Sequence, residues 1–144
     1  CIDAETGDVV WTKELEAGFV SAPVIGTDSL SEMVIVTVSG ESGATVYALS
    51  KADGSEVWSY ALNAPTLSSP IALYGAVDET TGEAAGAWIV AGSDSGELVL
   101  LNGNDGTEVT RLTLSSGVSG SPAAFNGMLV VATQDGQLHG VEVK

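Results

Sequence analysis

The chain has 144 residues, the size of one ordinary domain, and 44% of them are hydrophobic, enough to bury a core. Nineteen acidic residues against four basic ones (Lys13, Lys51, Arg111 and Lys144) give a net charge of −15. Such a surface repels phosphate backbones and anionic head groups, which excludes nucleic acid and membrane surfaces as partners and leaves cations and basic protein patches. Cys1 is the single cysteine, so no internal disulfide forms, and no run of eighteen apolar residues marks a membrane insertion.

The chain opens on Cys1-Ile2-Asp3, which aligns with Ala48-Leu49-Ser50 and Leu100-Leu101-Asn102 and reads as the end of a strand. A polar turn, Asp3 to Gly7, leads into a short outer strand, Val9-Val10-Trp11. From there the same four-strand pattern recurs. First strands carry a proline: Val20-Ser21-Ala22-Pro23-Val24, Leu67-Ser68-Ser69-Pro70-Ile71 and Ser119-Gly120-Ser121-Pro122-Ala123. Second strands are apolar and β-branched: Val34 to Val38, Trp88 to Ala91, and Leu129 to Thr133. Tight turns follow at Glu41-Ser42-Gly43, Asp94-Ser95-Gly96 and Asp135-Gly136, where glycine is expected to supply a positive φ. Third strands are Thr45 to Leu49, Leu98 to Leu101 and Leu138 to Val141. Fourth strands, Glu56-Val57-Trp58 and Glu108-Val109-Thr110, alternate with polar residues as exposed outer strands do.

Two landmarks confirm the period. Gly7, Gly54 and Gly106 are each followed sixteen residues later by Pro23, Pro70 and Pro122, and both markers advance by 47 and then 52 residues. Four antiparallel strands per repeat of this length predict an all-β fold, a β-propeller segment with three blades' worth of strands in a partial ring. The expected divisions are 1–15 (the end of one blade), 16–62, 63–114 and 115–144 (an incomplete blade). Three blades fall short of the usual four to eight, so the segment is expected either to be part of a longer propeller or to complete a ring with a second copy. Length varies only between first and second strands, at Thr27 to Glu32 and at Gly75 to Ala87, which puts the elaborations on one face of the disc.

The segment Cys1-Ile2-Asp3-Ala4-Glu5-Thr6-Gly7-Asp8-Val9-Val10-Trp11 resembles the tryptophan-docking motif Ala-x-Asp-x-x-x-Gly-x-x-x-Trp of the pyrroloquinoline-quinone-like propellers. Ala48, Ser50, Gly54 and Trp58 repeat it, and Leu100, Asn102, Gly106 and Thr110 keep its frame. The resemblance implies structural roles for Asp3, Gly7, Trp11, Ala48, Gly54, Trp58 and Gly106, with Pro23, Pro70 and Pro122 of the Ser-x-Pro segments. It implies a weaker inter-blade contact at Thr110. Trp88 lies outside the motif and is expected to pack in the core or under the insertion.

The same resemblance raises quinone-dependent dehydrogenases, which hold their cofactor with a calcium or lanthanide ion, carboxylates and an Asn, beside an Asp base. Many add a vicinal cysteine pair, which a single Cys excludes. The four cations fall on outer strands or a terminus, so no quinone grip is expected. His139, the only histidine, reads as a packed strand residue. Asn102 to Gly106 and the group Asp3, Glu5 and Asp8 echo oxygen-ligand loops, but Thr113 stands where an EF-hand needs Glu, and Asx-type turns are expected instead. The expectation is thus a non-catalytic scaffold with no cofactor beyond an open question of calcium. It would be extracytoplasmic, binding a protein or surface ligand through the loop face. The alternatives are a quinoprotein dehydrogenase fragment and a calcium-stabilised adhesive or carbohydrate-binding module.

Overall fold

A computed structural model describes every residue except Ala17, Asp78, Glu83 and Lys144. The described strands are all antiparallel and fall into three sheets in chain order. Blade I holds β1 (Phe19–Val20), β2 (Val24–Ile25), β3 (Met33–Ser39), β4 (Ala44–Ser50) and β5 (Glu56–Leu62). Blade II holds β6 (Ile71–Tyr74), β7 (Ala87–Gly92), β8 (Glu97–Asn102) and β9 (Glu108–Thr113) in the order β6-β7-β8-β9. Blade III holds β10 (Ala123–Phe125), β11 (Met128–Ala132) and β12 (Leu138–Glu142). Successive hairpins explain the meander, with β1 and β2 of blade I both paired to β3 as the two parts of one first strand.

The registers superimpose from blade to blade. Ile35 pairs with Ala48, Val90 with Leu100, and Val130 with Gly140. Both complete blades also carry an irregularity at the same column, between Ala48 and Leu49 and between Leu100 and Leu101. An extra residue on the outer strand there (Val57, Val109) increases the local twist and re-aims its neighbour, Trp58 or Thr110.

Because side chains alternate across a strand, each blade has two apolar faces, and the core lies between blades rather than inside one. Ile35, Val46, Ala48, Trp58 and Leu62 of blade I pack against Ala87, Ile89, Val99 and Leu101 of blade II. Val90 and Leu98 of blade II pack in turn on Val118, Leu129 and Val131. Val36, Val38 and Leu49 form a third cluster on the outer side of blade I, covered by Leu15.

Three expectations need correction. The first strands do not run through the Ser-x-Pro segments: β6 and β10 begin immediately after Pro70 and Pro122, and in blade I the strand is split into β1 and β2 around Ser21–Pro23. Proline has no N–H to give a ladder, and the preceding serines divert the backbone bonding elsewhere. Secondly, Val9-Val10-Trp11 forms no strand. It has a single bridge, Ile2 to Val9, in the register of Leu49–Glu56 and Leu101–Glu108. Thirdly, the turn at Gly43 does not use a positive φ. Gly96 and Gly136 do, at +85° and +81°, but the loop after β3 closes by Gly40 N–H donating to Gly43 O at 2.8 Å.

Candidate functional site

The motif residues form an inter-blade lock. The indole of Trp58 is 7% exposed, and its Nε1 donates to the Gly103 carbonyl of blade II at 2.9 Å. Its ring lies flat on Gly106, where a Cβ would fall 2.6 Å from Trp58 Cε3. Trp11 repeats this geometry one blade earlier: Nε1 donates to Lys51 O at 2.8 Å, and a Cβ on Gly54 would fall 2.6 Å from its Cε3. Both glycines sit at φ +72°, so the turn needs glycine for its backbone as well as for the approach of the ring. Gly7 has the same backbone, φ +79°, with nothing within 4 Å of its would-be Cβ. Ala48, fully buried, lies opposite Trp58 in the sheet. Asp3 holds its own turn, with Oδ1 accepting from the N–H of Glu5 (2.8 Å) and Thr6 (2.9 Å).

The serines before the prolines stitch blades together near their first strands. Ala22 N–H donates to Ser69 Oγ (3.2 Å), and Ser69 N–H donates to Ser121 Oγ (2.9 Å). Each of those residues precedes Pro23, Pro70 or Pro122. One column earlier, Ser21 Oγ accepts from Thr37 N–H at 2.9 Å and Ser68 Oγ donates to Gly120 O at 3.2 Å.

A polar clamp closes the outer rim. Arg111 Nη1 meets Glu97 Oε1 at 2.6 Å and its Nη2 meets Glu108 Oε2 at 2.8 Å, while Tyr60 of blade I donates to Glu108 and accepts from Arg111. Asn63 adds a contact to Glu97. The hydrogen bonds from Arg111 and Tyr60 hold the Glu108 carboxyl down at about 2. Burial, reinforced by the bond to Glu108, pushes the Tyr60 hydroxyl up. Nothing in the sequence singled out this cluster, because Tyr60 is 48 residues from Glu108 and reaches it only across the interface of blades I and II.

Both variable loops project from one end of the strands. Residues 27–32 contain a single 3-10 turn, Asp28–Leu30, whose Leu30 is fully buried in the cluster shared by blades I and II. Lys51 Nζ donates to Gly26 O at 2.9 Å, and Thr27 N–H donates to the Tyr74 hydroxyl at 2.8 Å, tying this loop to the base of the insertion. The insertion itself is a hairpin extension, with Gly75 N–H bonded to Gly86 O, Ala85 N–H to Ala76 O, and a Val77–Ala84 bridge.

At the base of that hairpin, between blades II and III, lies a groove of about 870 Å³. Trp88, Leu73, Leu100, Phe125, Met128 and Val143 make it predominantly apolar. Phe125 is 79% exposed at its lip. Trp88 also stacks beside Gly75 and Gly86 and so stiffens the hairpin base. A second cavity of about 270 Å³ lies beside Thr110, Leu100 and Val141. Thr110 stands at the repeat position of Trp58, and this smaller residue was the sequence signal for the gap.

The remaining candidates carry no chemistry together. His139 is half-buried on β12 with Nε2 3.2 Å from Thr133 Oγ1. Asp53, Asp105 and Asp135 accept from Ser55, Thr107 and Thr133 in their own turns, and these bonds hold each carboxyl below the usual carboxylate range. Among the described residues no three His, Cys, Asp or Glu side chains gather as a metal site, and no helix is long and apolar enough to cross a membrane. Two of the cations are engaged elsewhere, Lys51 on Gly26 O and Arg111 on the rim clamp, and Lys13 is exposed on the segment after Trp11, apart from both. Lys144 lies outside the described residues.

No curated protein sequence matches the chain significantly. Among solved structures it resembles BamB from Moraxella catarrhalis, with a TM-score of 0.71 and 26% identity over 98% of this chain and 42% of that one. It also resembles the computationally designed Ika8 protein, with a TM-score of 0.57 and 15% identity over 86% of this chain and 33% of that one, a likeness of fold alone. The chain thus spans less than half the length of the BamB structure it matches. The family described as outer membrane protein assembly factor BamB matches residues 1–68 and 43–144, and with the repeated Gly–Trp lock this coverage shows that the chain belongs to the BamB family of PQQ-like β-propeller repeats.

Proposed function

We propose that this chain is a non-catalytic propeller scaffold that binds another protein through its loop face. Its blades would divide at 16–62, 63–114 and 115–144, with 1–15 contributing the end of a preceding blade. The observation that carries the reading is the apolar groove of about 870 Å³ at the foot of the hairpin insertion, on the same face as the 27–32 loop. Grooves of this size lined by aromatic and aliphatic side chains accept apolar groups of a partner. Serine contacts join the two blades that form it, and the buried Trp58 holds blade II on blade I behind it. The family description, an outer membrane protein assembly factor, supports a protein partner and an extracytoplasmic location.

The test is site-specific photo-crosslinking in envelope extracts. A photoreactive phenylalanine at Ala76, beside the groove, should capture another polypeptide. The same probe at Ser95, in the turn at the opposite end of β7 and β8, should not. Adducts from Ser95 alone, or from neither position, would sink the proposal.

A further inference from the structure

Five times in this chain an Asn or Asp stands directly before glycine: Asp53, Asn102, Asp105, Asn126 and Asp135. That pairing favours closure of the side-chain carbonyl onto the next backbone nitrogen, because glycine has no Cβ to crowd the approach. The nitrogen must be free of other bonds when it attacks, and in four of the five pairs it is held. Gly54 N–H donates to Ser50 O, Gly103 N–H to Ala87 O and Gly106 N–H to Asn102 O, each at 2.9 Å, and Gly136 N–H to Thr133 O at 3.0 Å. Asp53, Asp105 and Asp135 are protected a second time, because bonds within their turns keep them as carboxylates, which resist nucleophiles. Asn102 has its Oδ1 held by Asn104 N–H at 2.9 Å.

Asn126 is placed differently. With Gly127 it forms the turn between β10 and β11, and Phe125 and Met128 pair on either side of it. Both residues have left-handed backbones, φ +48° and +72°, as a tight I′ hairpin requires. The ladder bonds of such a hairpin belong to the flanking residues, and among the described residues Gly127 N–H has no acceptor. Because this bonding is set within residues 125–128, it holds whatever lies against blade III. Attack also requires a rotation of the Asn126 backbone. β10 is three residues long and, like β6 in blade II, an edge strand of its sheet, so the turn opens at little cost.

We propose that Asn126 is a site of spontaneous deamidation, selected from the five pairs by its unbonded glycine nitrogen. The Gly127 nitrogen attacks Asn126 Cγ and an N–Cγ bond forms. The Cγ–Nδ2 bond breaks, and Nδ2 leaves as ammonia with the proton given up by Gly127. Water then opens the cyclic imide: scission at Cγ leaves aspartate at this position, and scission at the main-chain carbonyl leaves isoaspartate. Either product puts a carboxylate in the turn that lines the apolar groove, and isoaspartate also lengthens that turn by a methylene. Weaker docking of an apolar group there is a consequence that rests on the partner reading above; the conversion itself does not.

The test is peptide mapping of the purified protein, incubated at mildly alkaline pH and digested with trypsin at intervals. Cleavage after Lys51, Arg111 and Lys144 leaves Asn102 in peptide 52–111, and Asn126 in peptide 112–144 as its only asparagine. In the folded protein Asn126 should lose its amide several-fold faster than Asn102, giving a mixture of isoaspartate and aspartate that electron-transfer fragmentation resolves. In concentrated urea, where Gly103 N–H is released from Ala87 O, the two should convert at similar rates. An Asn126 amide that persists in the folded protein, or is lost no faster than that of Asn102, overturns the proposal. So does a preference for Asn126 that survives in urea, which would come from sequence and not from the bonding of the turn. Aspartate formed without isoaspartate would rule out the imide.

Discussion

Substituting alanine for the motif glycines separates backbone strain from tryptophan docking within one protein. Gly7, Gly54 and Gly106 share a left-handed backbone, φ +79°, +72° and +72°. An alanine at any of them incurs roughly 1–2 kcal/mol for that conformation. At Gly7 nothing more is added, since no atom lies within 4 Å of the new Cβ. At Gly106 the Cβ falls 2.6 Å from Trp58 Cε3 and 2.7 Å from Cδ2, far inside van der Waals contact. The ring must move, adding about 1–3 kcal/mol of overpacking. Movement also breaks the Nε1 bond to Gly103 O, worth about 1 kcal/mol. Gly106→Ala should therefore cost about 4 kcal/mol and Gly7→Ala about 1. At roughly 2–4 °C per kcal/mol for a chain of this size, that is a drop of about 10 °C against about 3 °C. Urea titrations followed by far-UV circular dichroism and tryptophan fluorescence measure both. If Gly106→Ala and Gly7→Ala prove equally mild, the docking account is wrong.

Trp58→Ala should cost about 3–5 kcal/mol, and Trp11→Ala clearly less because Trp11 is only half-buried; equal losses in urea would contradict the packing difference. The Glu108 carboxyl is depressed from 4.5 to about 2, so its contribution is full above the unfolded value and drains away as pH falls from about 4.5 toward 2. Glu108→Gln should flatten the acid limb of the stability–pH curve in that window, and an unchanged limb would show the clamp to be idle. Thr37 Oγ1 is buried without a hydrogen-bond partner, so Thr37→Val should stabilise the fold by about 1 kcal/mol. Destabilisation instead would reveal a buried water on that hydroxyl.

The apolar β-branched runs around Val36 and Ile89, and the turns after them, were enough to place the second, third and fourth strands of the complete blades, because strand pairing inside a hairpin is local. The first strands were misplaced because Ser69 and Ser121 bond backbone of a different blade, which no local pattern reports. The segment expected as an outer strand at Val9 to Trp11 is instead held by the Ile2–Val9 bridge and the bond from Val10 N–H to Cys1 O. At the candidate site, the face was legible from the lengths of the 27–32 and 75–87 loops. The groove was not, since Tyr74, Trp88 and Phe125 meet only after blades II and III are set side by side.

Composition, the paired Gly and Pro markers and the Trp11 and Trp58 frame by themselves determined a repeating all-β propeller with an acidic surface. These are properties of period and turn chemistry, which act within a few residues. Tertiary structure alone decided that each tryptophan caps the glycine turn of the following blade, not its own, and that Arg111 bridges Glu97 and Glu108 beside Tyr60. It also decided that a cavity lies beside Thr110. The tryptophan and Tyr60 contacts join residues of different blades, and their geometry is set by how apolar faces stack between blades.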